Sequence, residues 1–165
     1  MGVQSGADTI GKQLLERALA KKYTDENYLK RNNINVGVPV YIVSAEFVRS
    51  LSEHEKSITK PFIKNSDIKA YFIPTIYKEY YLYIDSKIDI NTYPHNKNHL
   101  LKFRPILKAR EQVGDKENSW YWIRGSKRDL LINTGQHIVC PYRAKRNIFA
   151  LTKGKVLAAE RAGKH

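Results

Sequence analysis

Short stretches of strong strand formers alternate along this chain with short amphipathic helical patterns, and this alternation constrains the fold most. The clearest strand pattern is Tyr80-Tyr81-Leu82-Tyr83-Ile84, which is rich in aromatic side chains. Similar patterns predict further strands over 38–43, 70–73, 120–124, 136–139 and 147–151. We therefore predict an α+β fold, in which a mixed, mainly antiparallel sheet is flanked by helices. The 165 residues suit a single domain.

Three longer stretches have the apolar spacing of helices. One covers residues 9–22, and a second begins at Ser44, a residue type favoured at helix N-caps. The third covers residues 96–111 and contains Pro105, which should kink the helix or mark the start of a new one. From Leu157 the chain is rich in Ala, Lys and Arg. We predict a folded domain over 1–156 and a basic, frayed tail over 157–165.

Composition excludes several classes of protein. No apolar run approaches the roughly 20 residues of a membrane span. The first residues lack the basic and apolar regions of a signal peptide. Cys140 is the single cysteine, so an internal disulfide and a cysteine-cluster zinc site are excluded, and we expect a buried thiol. These features predict a reduced, cytoplasmic protein with no membrane partner.

Positive charge is concentrated in the C-terminal part of the chain. Residues 97–165 contain 16 Lys and Arg against 5 Asp and Glu, whereas residues 1–96 contain 13 against 11. Aromatic residues are interleaved with these cations, as in Trp120-Tyr121-Trp122-Ile123-Arg124. Clustered cations neutralise phosphates and release counterions, and aromatic rings can stack on bases. The asymmetry therefore favours a nucleic-acid partner over a uniformly basic soluble protein.

The sequence contains none of the usual catalytic motifs. It has no phosphate-binding loop, no dinucleotide fingerprint and no nucleophile elbow. His95 and His99 have the i, i+4 spacing of metal ligands, but Asn96 stands where a zincin would have its glutamate. We interpret this pair as a polar helix start, and His54 and Glu55 as a solvated helix face. We predict no catalytic, cofactor-binding or metal-binding residues in this chain.

Three stretches, in order, resemble one family. Residues 2–8 are similar to a Gly-rich opening just downstream of a methyltransferase core, and Glu55–Ile68 to a "Lys-Pro-Phe … Asp-Ile" segment. The longest runs from Tyr93-Pro94 through Trp120-Tyr121-Trp122 to 138–143 and ends at Asn147-Ile148-Phe149-Ala150. Together they resemble the TaqI-like C-terminal specificity domain, which is the target-recognition domain of adenine-specific DNA methyltransferases and fused type IIG restriction-modification enzymes.

The resemblance implies a mixed α/β domain that grips double-stranded DNA opposite a catalytic domain and reads its target from the major groove. The catalytic domain would belong to the same parent chain or to a separate subunit. S-adenosylmethionine and magnesium are expected only there, because the catalytic motifs are missing here. The expected function is sequence-specific recognition of duplex DNA that positions a methyltransferase, and in some members of the family also an endonuclease.

Two basic clusters are the candidate DNA contacts. Arg143, Lys145 and Arg146 follow a predicted strand, and we expect one of them to reach a base edge while the others hold phosphates. Asn147 could read adenine or serve as an ordinary turn residue. The second cluster has the same expected division of roles, and consists of Arg124, Lys127 and Arg128.

Four further candidates lie elsewhere in the sequence. Tyr121 should point away from the face that Trp120 and Trp122 share in a strand, so it is a candidate contact. Arg110 ends a predicted helix and could pair with Glu111, bind a carbonyl or reach a phosphate. Lys64 and Lys69 flank the Pro-Phe segment and are candidate backbone contacts.

Three other functions remain open at this stage. An RNA-binding domain would fit the tyrosine content and the basic half, although the sequence lacks an RNP-like aromatic signature. A small stand-alone nuclease would need a carboxylate and lysine arrangement around magnesium that is missing. A structural interaction domain would have no affinity for nucleic acid at moderate salt.

Overall fold

The computed structural model describes residues 9–110, 119–123, 138–141, 148–152 and 157–158. These residues form one α+β body with small sheets and six α-helices, as predicted. The helices are α1 Lys12–Ala20, α2 Glu26–Arg31, α3 Ala45–Arg49, α4 Glu53–Lys56, α5 Pro94–Leu101 and α6 Arg104–Lys108. The strands are β1 Ile42–Ser44, β2 Thr59–Ile63, β3 Glu79–Leu82, β4 Ile138–Val139, β5 Ala150–Leu151 and β6 Leu157–Ala158.

The larger sheet has the strand order β1-β3-β2-β6 and is mainly antiparallel. β3 pairs antiparallel with both β1 and β2, and β6 pairs parallel with β2. Pro61 lies in β2, where its missing N–H would normally interrupt a ladder. Among the described residues, the second neighbour, β6, pairs with Phe62 and Ile63, and Pro61 has a strand partner on the β3 side alone.

Most of the buried apolar residues that the structure describes form one core between the larger sheet and the helices. Tyr81 and Leu82 of β3 are fully buried there, against Leu100, Phe103 and Leu107 of the α5–α6 region. The Tyr41 hydroxyl donates to the carbonyl of Tyr121 over 3.1 Å, which satisfies a polar group within this core. A second, smaller cluster lies beneath the two-stranded β4–β5 sheet and contains Ile63, Ile68, Val139 and Ala150.

Several local predictions are confirmed. The Ser44 Oγ accepts from the backbone N–H of Phe47 and caps α3. The helical stretch around Pro105 is divided, since α5 ends at Leu101 and α6 begins at Arg104 with proline in its first turn. Proline is tolerated there because the first N–H groups of a helix have no partner within the helix.

Three local predictions are wrong. Residues 70–73 form no strand, because Lys69 and Phe72 close a tight turn instead. Residues 120–123 form a turn, held by a hydrogen bond from Trp122 N–H to the carbonyl of Ser119. Cys140 is exposed rather than buried. The first two residues of the predicted tail, Leu157 and Ala158, form β6, and residues 159–165 lie outside the described part of the chain.

Candidate nucleic-acid interface

The two basic clusters singled out in the sequence lie outside the described residues. These are Arg124, Lys127, Arg128, Arg143, Lys145, Arg146 and Asn147. The described residues on either side of the cluster that contains Arg143 are paired, since Val139 faces Ala150 in the β4–β5 sheet. The assignment of these seven residues as DNA contacts therefore stays a prediction.

Lys64 and Lys69 lie on the surface, at the end of β2 and in the turn that follows it. The Lys64 ammonium is 2.7 Å from the carboxylate of Glu79, and both side chains are partly exposed. An exposed ion pair of this kind contributes little to stability, so Lys64 can exchange its partner at small cost. Lys69 is exposed, and its backbone closes the turn with Phe72. Both lysines are thus accessible to a phosphate.

Arg110 and Tyr121 are buried. The Arg110 side chain is 4% exposed, and its Nε donates to the carbonyl of Leu107 over 3.1 Å. Its guanidinium also donates to the carbonyl of Trp120. The Tyr121 hydroxyl lies 3.5 Å from the carbonyl of Ile88. The structure thus shows Arg110 bound to carbonyl groups, one of the partners predicted for it. Arg110 and Tyr121 both connect residues 119–123 to the rest of the core.

A cleft of about 490 Å³ opens beside this turn. We call it the cation-lined cleft, because three cations and three aromatic side chains surround it. Its lining residues are Ser86, Lys87, Ile88, Asp89, Ile90, Asn91, Lys97, Leu101, Arg104, Trp120, Tyr121 and Trp122. Three cations against one carboxylate, Asp89, give the cleft a net positive lining, and low-dielectric walls focus this potential, so the electrostatics of the cleft favour an anion.

Local contacts orient the polar side chains of the cleft. The Lys97 ammonium donates to Asn91 Oδ1 over 2.8 Å, and Asn91 in turn donates to the carboxylate of Asp89. The Arg104 guanidinium lies 5.7 Å from the centre of the Trp120 ring, within cation–π range. The indole N–H of Trp122 is buried and has no hydrogen-bond partner among the described residues. The arrangement can hold a phosphate oxygen beside a planar ring.

Sequence reasoning missed this cleft because its cations come from separate segments. Lys87 follows β3, Lys97 belongs to α5 and Arg104 begins α6, and only the fold brings them together around the tryptophans. The one usable signal was the Trp120–Trp122 stretch. It was interpreted as a strand with its tryptophans on one face, whereas in the turn Trp120 is buried and Trp122 is half-buried.

The buried carboxylate of Glu55 contacts the exposed imidazole of His95, a pair that the sequence did not reveal. Glu55 was interpreted as part of a solvated face but is only 2% exposed. Its carboxylate accepts from the backbone N–H groups of His95 and Asn96, over 2.7 and 3.3 Å, and lies 2.6 Å from His95 Nδ1. These N–H groups lie in the first turn of α5, so Glu55 acts as a helix cap supplied by another segment.

His95 and His99 do not combine into a metal site. The His99 Nε2 lies 2.9 Å from the carbonyl of Val40 and donates to it, and its ring packs against Phe47 and Phe103. Burial lowers the pKa of His99 below its ordinary value, because the charged imidazolium is poorly solvated there. His95 is held by Glu55 instead. Within the described ranges, no three His, Cys, Asp or Glu side chains are grouped to hold a metal ion.

No protein-family model and no curated protein matches this chain. Among the residues that the structure describes, no helix has both the length and the apolar character required to cross a bilayer.

Proposed function

We propose that this chain is a sequence-specific recognition domain for duplex DNA, of the TaqI-like specificity type found in restriction-modification enzymes. The observation that carries the proposal is the segregation of charge, with 16 Lys and Arg against 5 Asp and Glu over residues 97–165. A surface with this balance neutralises phosphates, and its affinity comes largely from the release of counterions. Interleaved aromatic and arginine side chains add the means to contact bases.

Two features of the described residues support the proposal. The cation-lined cleft combines Lys87, Lys97 and Arg104 with one buried and one half-buried indole ring, which suits the phosphate and sugar of a nucleic-acid strand. Lys64 and Lys69 provide a second set of exposed cations on another segment. Phosphate contacts from several segments fix the register of a domain on the duplex, and the arginine-rich clusters then read the bases.

The proposed role is recognition rather than catalysis. A methyltransferase domain, in the same parent chain or in a separate subunit, would bind S-adenosylmethionine and modify an adenine within the recognised site. Any magnesium-dependent cleavage would belong to that catalytic part. In this scheme the chain works in the cytoplasm, where it aligns the catalytic domain on the target and restricts modification to one short sequence.

Selection of duplexes from a randomised DNA pool tests the proposal. The protein is incubated with the pool at ~50 mM and at ~200 mM salt, over which phosphate-driven binding weakens strongly. The proposal predicts that one short sequence is enriched and persists at the higher salt, because base contacts add to the phosphate term. Recovery of random sequences, with binding lost at ~200 mM salt, would show that a basic surface binds DNA without sequence preference, and would overturn the proposal.

A further inference from the structure

An exposed turn that begins six residues after β2 carries aromatic side chains, one of them in an unusual backbone conformation. Lys69 and Phe72 close the turn with two hydrogen bonds, Lys69 N to Phe72 O at 3.0 Å and Phe72 N to Lys69 O at 3.1 Å. We call residues 69–72 the aromatic turn. Tyr71 has a φ of 61°, in the left-handed region where glycine or asparagine is favoured. A tyrosine there is strained by its Cβ, and this strain suggests that its side chain has a function.

The aromatic turn displays its rings to solvent. Tyr71 is 86% exposed and Phe72 is 56% exposed, so both rings are far more accessible than a core requires. The Tyr71 ring meets Phe149 edge to face, with ring centres 6.3 Å apart and planes at 88°. With 86% of its surface exposed despite this contact, the Tyr71 ring keeps a face open to a planar partner.

The turn is firmly anchored on the fold. The backbone N–H of Tyr71 donates to the carbonyl of Phe149 over 2.9 Å, which joins the turn to the segment that enters β5. Beneath it, Ile68 packs with Ile63 and Val139 in the smaller hydrophobic cluster. An aromatic ring on a fixed backbone loses little conformational entropy when it binds.

The charge around the turn favours a nucleic acid as the partner. Residues 60–79, which contain the turn, include four Lys against Asp67 and Glu79, and the sequence shortly before Phe149 adds Arg143, Lys145 and Arg146 with no carboxylate. A surface for a protein partner would be expected to carry fewer cations, since lysine is depleted in protein interfaces. Exposed aromatics among cations are typical of surfaces on which bases stack.

We propose that the aromatic turn is a base-stacking element, in which Tyr71 inserts against a base step of the bound DNA while Lys69 contacts the adjacent phosphate. The inference rests on the proposed function, and it names the residues that engage the bases from this side of the domain. Aromatic side chains that insert at a base step partly unstack it and bend the duplex. Phe72 lines the same surface and excludes water from the contact.

The Tyr71→Gly variant separates this role from a structural one. Glycine removes the ring but suits the positive φ, so the thermal midpoint should be unchanged or raised. Binding is measured by fluorescence anisotropy on a labelled duplex of randomised sequence, across a salt series. We expect the affinity of Tyr71→Gly for the duplex to fall about 5- to 150-fold, which is the factor that corresponds to the loss of one base–aromatic stack.

The salt series and two matched variants complete the test. Tyr71→Gly should leave the dependence of affinity on salt unchanged, whereas Lys69→Ala should reduce the slope by about one phosphate contact. Tyr71→Trp should retain the affinity, because its ring also stacks. Tyr23→Ala removes another exposed tyrosine that lies near a lysine, Lys21, and should leave binding unchanged.

The outcomes distinguish the two proposals. If the wild-type protein binds the duplex with steep salt dependence but Tyr71→Gly binds equally well, the stacking role is refuted and DNA binding stands. Equal losses in Tyr71→Gly and Tyr23→Ala would also refute it. If the wild-type protein binds no duplex at ~50 mM salt, where phosphate contacts are strong, the proposed function itself fails.

Discussion

Replacement of Glu55 should destabilise the fold far more than its position in a charged helix suggests. The carboxylate is buried and accepts two backbone hydrogen bonds at the start of α5, and it lies 2.6 Å from His95 Nδ1. Hydrogen bonds to a charged group contribute about 1.5–3 kcal/mol each, and Glu55 accepts two of them from the backbone of α5. We expect Glu55→Ala to lose about 3–5 kcal/mol, a large share of the roughly 5–15 kcal/mol that stabilises a domain.

Two variants divide this loss between its contacts. Glu55→Gln keeps an oxygen that can accept from the backbone N–H groups, so it should cost about 1–2 kcal/mol. His95→Ala removes only the contact to an exposed imidazole and should cost about 1 kcal/mol or less. Urea unfolding, followed by the fluorescence of Trp120 and Trp122, gives the three values. A loss below about 1 kcal/mol for Glu55→Ala would refute the capping role.

Three further predictions follow from the site. Burial lowers the pKa of His99 below its ordinary value of 6.5, so below that pH the unfolded chain binds more protons and the protein loses stability. The urea midpoint should therefore fall between about pH 7.5 and about pH 5.5, and His99→Phe should remove this part of the fall. Lys97→Gln and Arg104→Gln should each lower the salt slope of duplex binding by about one phosphate contact, whereas an unchanged slope in both would remove the cleft from the interface. Arg110→Lys should cost about 1–3 kcal/mol in urea unfolding and leave the slope unchanged, because the buried guanidinium binds carbonyls rather than DNA.

The parts of the fold that local chemistry determines were predictable from the sequence. Ser44 caps α3 through its own side chain, and Pro105 divides α5 from α6 because of its ring. The aromatic run at Tyr80 and Tyr81 forms β3, since it favours a strand whatever its neighbours are. Each of these signals is contained within a few residues.

The candidate site depends on contacts between distant segments, and the sequence could not supply them. In the sequence, Glu55 has the pattern of a surface residue. In the fold, the N-terminus of α5, 40 residues away in the chain, packs against its carboxylate. Trp120 and Trp122 satisfy a strand pattern, but Arg110 and the core hold them in a turn. Tyr71 lies in a stretch with strand-like composition, and its positive φ appears only when the turn packs on Phe149. Tertiary contacts override local propensity in all three cases.

The most direct test of the account is the affinity of the whole chain for duplex DNA as a function of salt. Five phosphate contacts would give a log–log slope of about −4.5 and weaken binding about 500-fold between ~50 and ~200 mM salt. We predict a slope of at least this size, together with weaker binding to single-stranded RNA of the same length. An affinity that is insensitive to salt, or a preference for the RNA, would contradict the proposed recognition of duplex DNA.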